Sequence, residues 1–247
     1  SANRGLVWTT VLTNVGALTR GRNGMLWATR DDRVAPASFQ PRSIYRSIAS
    51  DGGVSWTLMG TDTDAGVGGV MTKYTQIRVD PNNAARIMAV GGRATNTMRY
   101  AFSSDTGATW RFASGPMSFR EGLAIDGNFI NMEAGGDGRF IIGLSQANGL
   151  AKFIYVTDDA SLTQDANWIQ KYTVVTTAVT NGWVDSVRAG ANLYFAGNGG
   201  GAANAVDGRV VQSLNNGDTW TPFTGDDRSD IMAITWHGGS STLIIGR

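Results

Sequence analysis

Apolar residues in this chain gather in short runs rather than at helical spacing. One set reads Met25-Leu26-Trp27-Ala28, Arg86-Ile87-Met88-Ala89-Val90, Phe140-Ile141-Ile142-Gly143-Leu144, Leu193-Tyr194-Phe195-Ala196 and Leu243-Ile244-Ile245-Gly246. A second set recurs in phase with it: Ser43-Ile44-Tyr45-Arg46, Met98-Arg99-Tyr100-Ala101-Phe102, Phe153-Ile154-Tyr155-Val156 and Val210-Val211-Gln212-Ser213. These runs are rich in β-branched and aromatic residues and are bounded by Gly, Asn and Asp, the pattern of strands joined by tight turns. No stretch carries the apolar period of an amphipathic helix. The chain is expected to be all-β.

A recurring turn follows the second set. Ala49-Ser50-Asp51-Gly52-Gly53-Val54-Ser55-Trp56, Ser103-Ser104-Asp105-Thr106-Gly107-Ala108-Thr109-Trp110 and Ser213-Leu214-Asn215-Asn216-Gly217-Asp218-Thr219-Trp220 all fit S-x-D-x-G-x-T-W. The middle copy is complete; the first has Ala for Ser and Ser for Thr, and the third has Asn for Asp. Asp or Asn at the third position bonds to backbone N–H groups just ahead of it and holds the turn. Gly takes a positive φ without a steric penalty. Thr and Trp start a strand, and the Trp packs on the neighbouring sheet. A longer turn opens at Thr157-Asp158-Asp159 and ends at Asn167-Trp168, and Val7 to Leu12 reads as the strand after such a turn. Trp8, Trp56, Trp110, Trp168 and Trp220 are then 48, 54, 58 and 52 residues apart. Repeats of roughly 40–50 residues with about four short strands each are the blades of a β-propeller. Five of them fill the 247 residues as one domain, 1–247.

The turn resembles the Asp-box, or BNR repeat, of sialidases and related β-propellers. The resemblance implies a structural role for Asp51, Gly53, Trp56, Asp105, Gly107, Trp110, Asn215, Gly217 and Trp220. It also implies that the boxes share one face and that ligands bind the opposite face, at the central channel. Here that face would be built from connections 60–75, 114–122, 173–186 and 224–231 and loops 29–43, 91–97, 145–151 and 197–208. A last blade made of Ile231 to Thr235, Thr242 to Gly246 and, from the N-terminus, Gly5 to Leu12 would close the ring with strands from both termini. Such closure removes exposed sheet edges. That blade is one strand short, so a second subunit or another protein is expected to complete its edge.

The resemblance covers the repeat and not the sialidase active site. That family needs three arginines on a substrate carboxylate, a Tyr–Glu nucleophile pair, an Asp acid and an Arg-Ile-Pro motif. Arg-Ile-Pro is absent, and the only glutamates are Glu121 and Glu133, neither beside a Tyr in sequence.

Composition narrows the classes. A formal charge of +1 makes no electrostatic case for nucleic acid or an acidic membrane. No run of about 18 apolar residues exists to span a bilayer. Zero cysteines exclude disulfides and thiolate metal sites. No signal peptide is visible. No metal and no cofactor are expected. His237, the single histidine, reads as a strand-end residue before Gly238-Gly239.

One register suggests chemistry. Ile77, Leu123, Val187 and Met232 align as first-strand apolar positions, and two residues earlier stand Thr75, Glu121, Asp185 and Asp230, with Gly16 in the remaining blade. Tyr74, Arg120 and Trp183 lie one or two residues further out. Clustered carboxylates can hold a cation or serve as acid, base and nucleophile on a glycoside, and aromatics beside them can stack on sugars. The ligand-binding candidates are therefore Tyr74, Arg120, Glu121, Trp183, Asp185 and Asp230; for an enzyme, the catalytic set is Glu121, Asp185 and Asp230. The alternative reading is that these acids are solvated or bond to nearby backbone N–H groups.

The leading expectation is a non-enzymatic recognition or structural module that presents loops to a glycan or protein partner. A bacteriophage virion protein (fibre, appendage or capsid decoration), made in the host cytoplasm, fits the missing export signal; a secreted protein is the alternative. The rival function is a sialidase-like glycoside hydrolase using the channel-mouth carboxylates, and a third class is an assembly factor.

Overall fold

The computed structural model describes residues 10, 12–31, 42–48, 53–62, 71–93, 98–114, 131–136, 138–145, 151–157, 168–175, 182–197, 210–223, 231, 233–239 and 242–246. They form strands and turns, with no helix among the described residues. The first sheet holds β1 (Val15–Arg20), β2 (Leu26–Asp31), β3 (Arg42–Ser47) and β4 (Thr57–Asp62). The second holds β5 (Met71–Val79), β6 (Ile87–Arg93), β7 (Met98–Ser103) and β8 (Arg111–Ser114). The third holds β9 (Asn131–Gly136), β10 (Arg139–Ser145), β11 (Ala151–Thr157) and β12 (Trp168–Val175). The fourth holds β13 (Trp183–Ala189), β14 (Asn192–Gly197), β15 (Val210–Ser213) and β16 (Thr221–Pro222). A two-stranded sheet, β17 (Ala233–His237) and β18 (Thr242–Gly246), comes last. Every sheet is an antiparallel meander in chain order.

The second strands explain the stacking. Their side chains alternate between two buried faces, so they read as continuous apolar runs. In β6, Ile87 and Ala89 join a core with Trp27 and Ile44 of the first sheet, while Met88 and Val90 join Met132, Phe140 and Ile142 of the third. In β10, Ile141 turns the other way, to Trp183, Leu193 and Phe195 of the fourth sheet. In β14, Tyr194 and Ala196 meet Ile234 and Trp236 of the last. Each fully buried large side chain contributes about 1.5–3 kcal/mol. The first strands also touch in succession, β1 on β5, β5 on β9, β9 on β13 and β13 on β17. Successive sheets thus pack face to face, with their first strands innermost. The closing strand expected at Gly5 to Leu12 falls largely outside the described residues.

The recurring turn is held by its own side chains. In the middle copy, the Thr109 amide donates to Asp105 Oδ1 (2.9 Å) and the Thr109 hydroxyl to Asp105 Oδ2 (2.6 Å). Ser103 donates to the same carboxylate and accepts the Gly107 amide, each at 2.8 Å. The Trp110 indole N–H returns to the Gly107 carbonyl at 3.1 Å. The third copy repeats these bonds around Asn215, except that its amide nitrogen donates to the Thr219 hydroxyl at 2.9 Å. A carboxylate can only accept, so the hydroxyl donates in one copy and accepts in the other. In the first copy Trp56 bonds the Gly53 carbonyl at 2.9 Å, and Asp51 lies outside the described residues. Gly53, Gly107 and Gly217 have φ of 90°, 78° and 91°.

Tryptophan then carries the turn into the next interface. Trp110 meets Trp27 of the first sheet edge to face, ring centroids 6.1 Å apart, and Trp168 meets Tyr100 of the second at 6.0 Å.

Two outcomes follow. A Cβ on Gly107 would lie 2.5 Å from the Trp27 ring at a positive φ. Gly107→Ala is expected to lower stability by roughly 2–4 kcal/mol, read from urea unfolding. Hydrogen bonds from the Thr109 hydroxyl, then the Thr109 amide and Ser103, hold the Asp105 carboxyl below its ordinary pKa of 3.8. A depressed carboxyl stabilises the fold above its unfolded pKa, and that contribution is lost as pH falls through the folded value. Asp105→Asn, imitating the third copy, should flatten the acid side of a melting-temperature series below about pH 4; an unchanged acid limb would show that Asp105 does not contribute to it.

Candidate functional site at the axis

Where the inner strands converge, the alternation that buries apolar residues between sheets turns the intervening residues toward the axis. Met132 and Ala134 of β9 face the second sheet, so Glu133 between them points the other way. Glu133 Oε1 accepts from Arg78 of β5, Nη2 at 3.3 Å and Nε at 3.4 Å, and from the Ser186 hydroxyl of β13 at 3.2 Å. Three inner strands from three sheets thus meet on one carboxyl. About 10% of the Glu133 side chain and 23% of the Arg78 side chain remain accessible.

Burial raises the Glu133 pKa above its ordinary 4.5; the Arg78 charge and the bonds from Arg78 and Ser186 oppose this, and the neighbouring Asp185 charge adds to it. Desolvation outweighs the ion pair, whose two hydrogen bonds from Arg78 are stretched to 3.3 and 3.4 Å. Asp185 stands beside it through Ser186: its Oδ1 accepts the Ser186 amide at 2.8 Å, and its Oδ2 accepts the Ile234 amide of the last sheet at 2.9 Å. One residue along β9, the Ala134 carbonyl accepts from Arg188 Nη1 at 3.1 Å. The Thr75 hydroxyl on β5 is buried with no hydrogen-bond partner among the described residues.

The residues expected from sequence fall in different places. Asp185 is at the axis and tied to two backbone amides. Tyr74 is buried, its hydroxyl donating to Asp62 at 2.8 Å beside the bidentate Arg99–Asp62 pair that joins the first and second sheets. Trp183 is buried between the third and fourth sheets, its indole N–H on the Phe153 carbonyl at 3.1 Å and the buried Lys152 ammonium over its ring. Gly16 lies against β5, where a Cβ would come within 2.3 Å of the Tyr74 carbonyl oxygen. Arg120, Glu121 and Asp230 lie outside the described residues, as do Leu123 and Met232. His237 is exposed at the end of β17.

The register taken from Leu123 needs correction. The innermost described strand of the third sheet is β9, Asn131–Gly136, with Met132 opposite Ile142 as Ile77 is opposite Ala89. Placing that strand early hid Glu133. The available signal was an acid within the apolar Met132-Glu133-Ala134 run just before the Gly-rich turn into Phe140.

No protein-family model matches the sequence, and no curated protein matches it. Solved structures do. A GH74 enzyme from Niastella koreensis superposes with a TM-score of 0.59 at 18% identity over 94% of this chain and 32% of that one. The GH74 xyloglucanase of Xanthomonas campestris gives 0.56 at 13% identity, over 92% of this chain and 34% of that one. An alpha-L-arabinofuranosidase from Fusarium graminearum gives 0.56 at 14% identity, over 94% of this chain and 74% of that one. The chain thus spans about a third of the two GH74 chains. These neighbours are β-propeller glycoside hydrolases, and at such identities the likeness shows the fold: this chain is an all-β β-propeller.

Proposed function

We propose that this chain is a carbohydrate-acting β-propeller, a glycoside hydrolase in which Glu133 is the proton donor. The observation that carries the reading is the burial-raised Glu133 carboxyl at the meeting point of β5, β9 and β13. A carboxyl whose pKa is raised by burial holds its proton to higher pH than a solvated one and can protonate a glycosidic oxygen as the bond to the anomeric carbon breaks. Arg78 and Ser186 fix its orientation. Asp185, held by two backbone amides, is the second carboxylate, placed to steer the attacking water or the developing positive charge on the sugar. Arg120, Glu121 and Asp230 would complete the mouth from the connecting loops. The glycoside hydrolase neighbours support this reading at the level of fold.

The test is hydrolysis of a panel of xyloglucan, β-1,3-galactan and arabinan oligosaccharides by the purified chain. Glu133→Gln should lower kcat/KM by roughly 10²–10⁴-fold with the fold intact; undiminished turnover in that variant would overturn the assignment. Binding without turnover by the wild type would instead favour the recognition module, on a virion or secreted.

The pH dependence has a definite sign. For an acid whose folded pKa is raised, the protonated form carries the favourable contribution, present below the unfolded value of about 4.5 and lost as pH rises through the folded pKa. Activity and melting temperature should therefore both fall along that upper limb, and Glu133→Gln should remove this component from a melting series.

A further inference from the structure

The turns that join first to second strands frame another opening of the axis, on the face carrying the S-x-D-x-G-x-T-W turns. It is a cavity of about 520 Å³ lined by Arg20, Arg22, Arg188 and Asn82, with Val79, Pro81 and the glycine turns completing it. The three guanidiniums come from the end of β1, the turn after it and β13, which belong to two different sheets. No carboxylate is among the described lining residues. Asp80 lies buried beneath the second-sheet turn, where its oxygens accept the amides of Asn82, Asn83 and Gly138 and face Arg86 at 3.9 Å. Asp137, next to Gly136 in the chain, lies outside the described residues.

Glycine beside the cavity lets the backbone come close to its lining side chains. A Cβ on Gly136, at φ +92°, would lie 2.9 Å from Asn82 Nδ2 and 3.3 Å from both terminal nitrogens of Arg188. A Cβ on Gly190 would meet nothing within 4 Å. Arg188 is braced by the carbonyls of Ala134 (3.1 Å) and Gly190 (2.5 Å), and Arg22 reaches the Pro81 carbonyl at 3.4 Å. Arg20 is exposed and makes no hydrogen bond or ion pair among the described residues.

We infer that this end of the axis is an anion site for a phosphate group, free or carried on a sugar, separate from the Glu133 carboxyl. One bidentate arginine satisfies a carboxylate, whereas three guanidiniums and an amide converging on one cavity match the charge and several acceptor oxygens of a phosphate. The charge of the ligand also offsets the mutual repulsion of the arginines.

Isothermal titration at low ionic strength tests this with inorganic phosphate, pyrophosphate, glucose 6-phosphate and glucuronate as probes. Phosphate or pyrophosphate should bind, weakening as salt rises. Arg20→Ala and Arg22→Ala, both exposed and so tolerant of change, should each weaken binding by roughly tenfold or more. Glu133→Gln should leave it unchanged, which separates this site from the proposed hydrolytic one. Tighter binding of glucose 6-phosphate than of phosphate would mark the phosphate as sugar-borne; equal or weaker binding would mark it as free. Absent heat for every phosphate probe, glucuronate binding as tight as phosphate, or unaltered affinity in the Arg20/Arg22 double variant would overturn the inference.

Discussion

Every second strand in this molecule is buried on both of its faces where a sheet lies on each side, and the rest of the structure depends on that constraint. A sheet with one wet face tolerates polar residues at alternate positions. A sheet sandwiched between two others leaves little room for them, so β6, β10 and β14 carry apolar runs through their middles, Ile87 to Val90, Phe140 to Leu144 and Leu193 to Ala196. Interdigitation leaves no slack at close approaches: a Cβ on Gly143 would lie 2.7 Å from the Phe195 ring, and one on Gly60 2.6 Å from Trp110. Packing at interior density makes such positions intolerant of even one added carbon.

Apart from the buried Arg99–Asp62 pair and Lys152, polar chemistry gathers in two places the sandwich does not fill. At the outer turns, side chains bond locally and seat tryptophans into the next interface. At the axis, the inner strands have a face with no sheet to cover it, and Arg78, Glu133, Ser186 and Arg188 collect there. A partly desolvated carboxyl among them is the physical consequence, and its raised pKa comes from position more than from partner. Glycoside hydrolases of known structure share this fold, and fold alone assigns no reaction.

Strand runs, the repeat and the turn were legible in the sequence because each is local. The Asp105 carboxylate and the Thr109 groups it binds are four residues apart, as are Asn215 and Thr219. Continuous apolar runs announce burial on both faces without reference to what covers them. Asp185 was also legible as an inner-strand acid, since it stands near the start of β13, two residues before Val187.

Glu133 and the arginine cavity were decided by the tertiary structure. Glu133 meets Arg78 from 55 residues away and Ser186 from 53, and no pattern within either segment specifies that meeting. It rests on which segment of the third repeat lies innermost, and first strands are too weakly patterned to settle this. Tyr74 and Trp183 show the same limit from the other side: an aromatic residue at a strand start reads alike whether it faces a sugar or a core, and only the sheet packed against it makes it core. The sequence by itself determined the blades and their turns, through contacts within a few residues. The radial order of the strands, and with it the placing of charge on the axis, came from packing one blade upon the next.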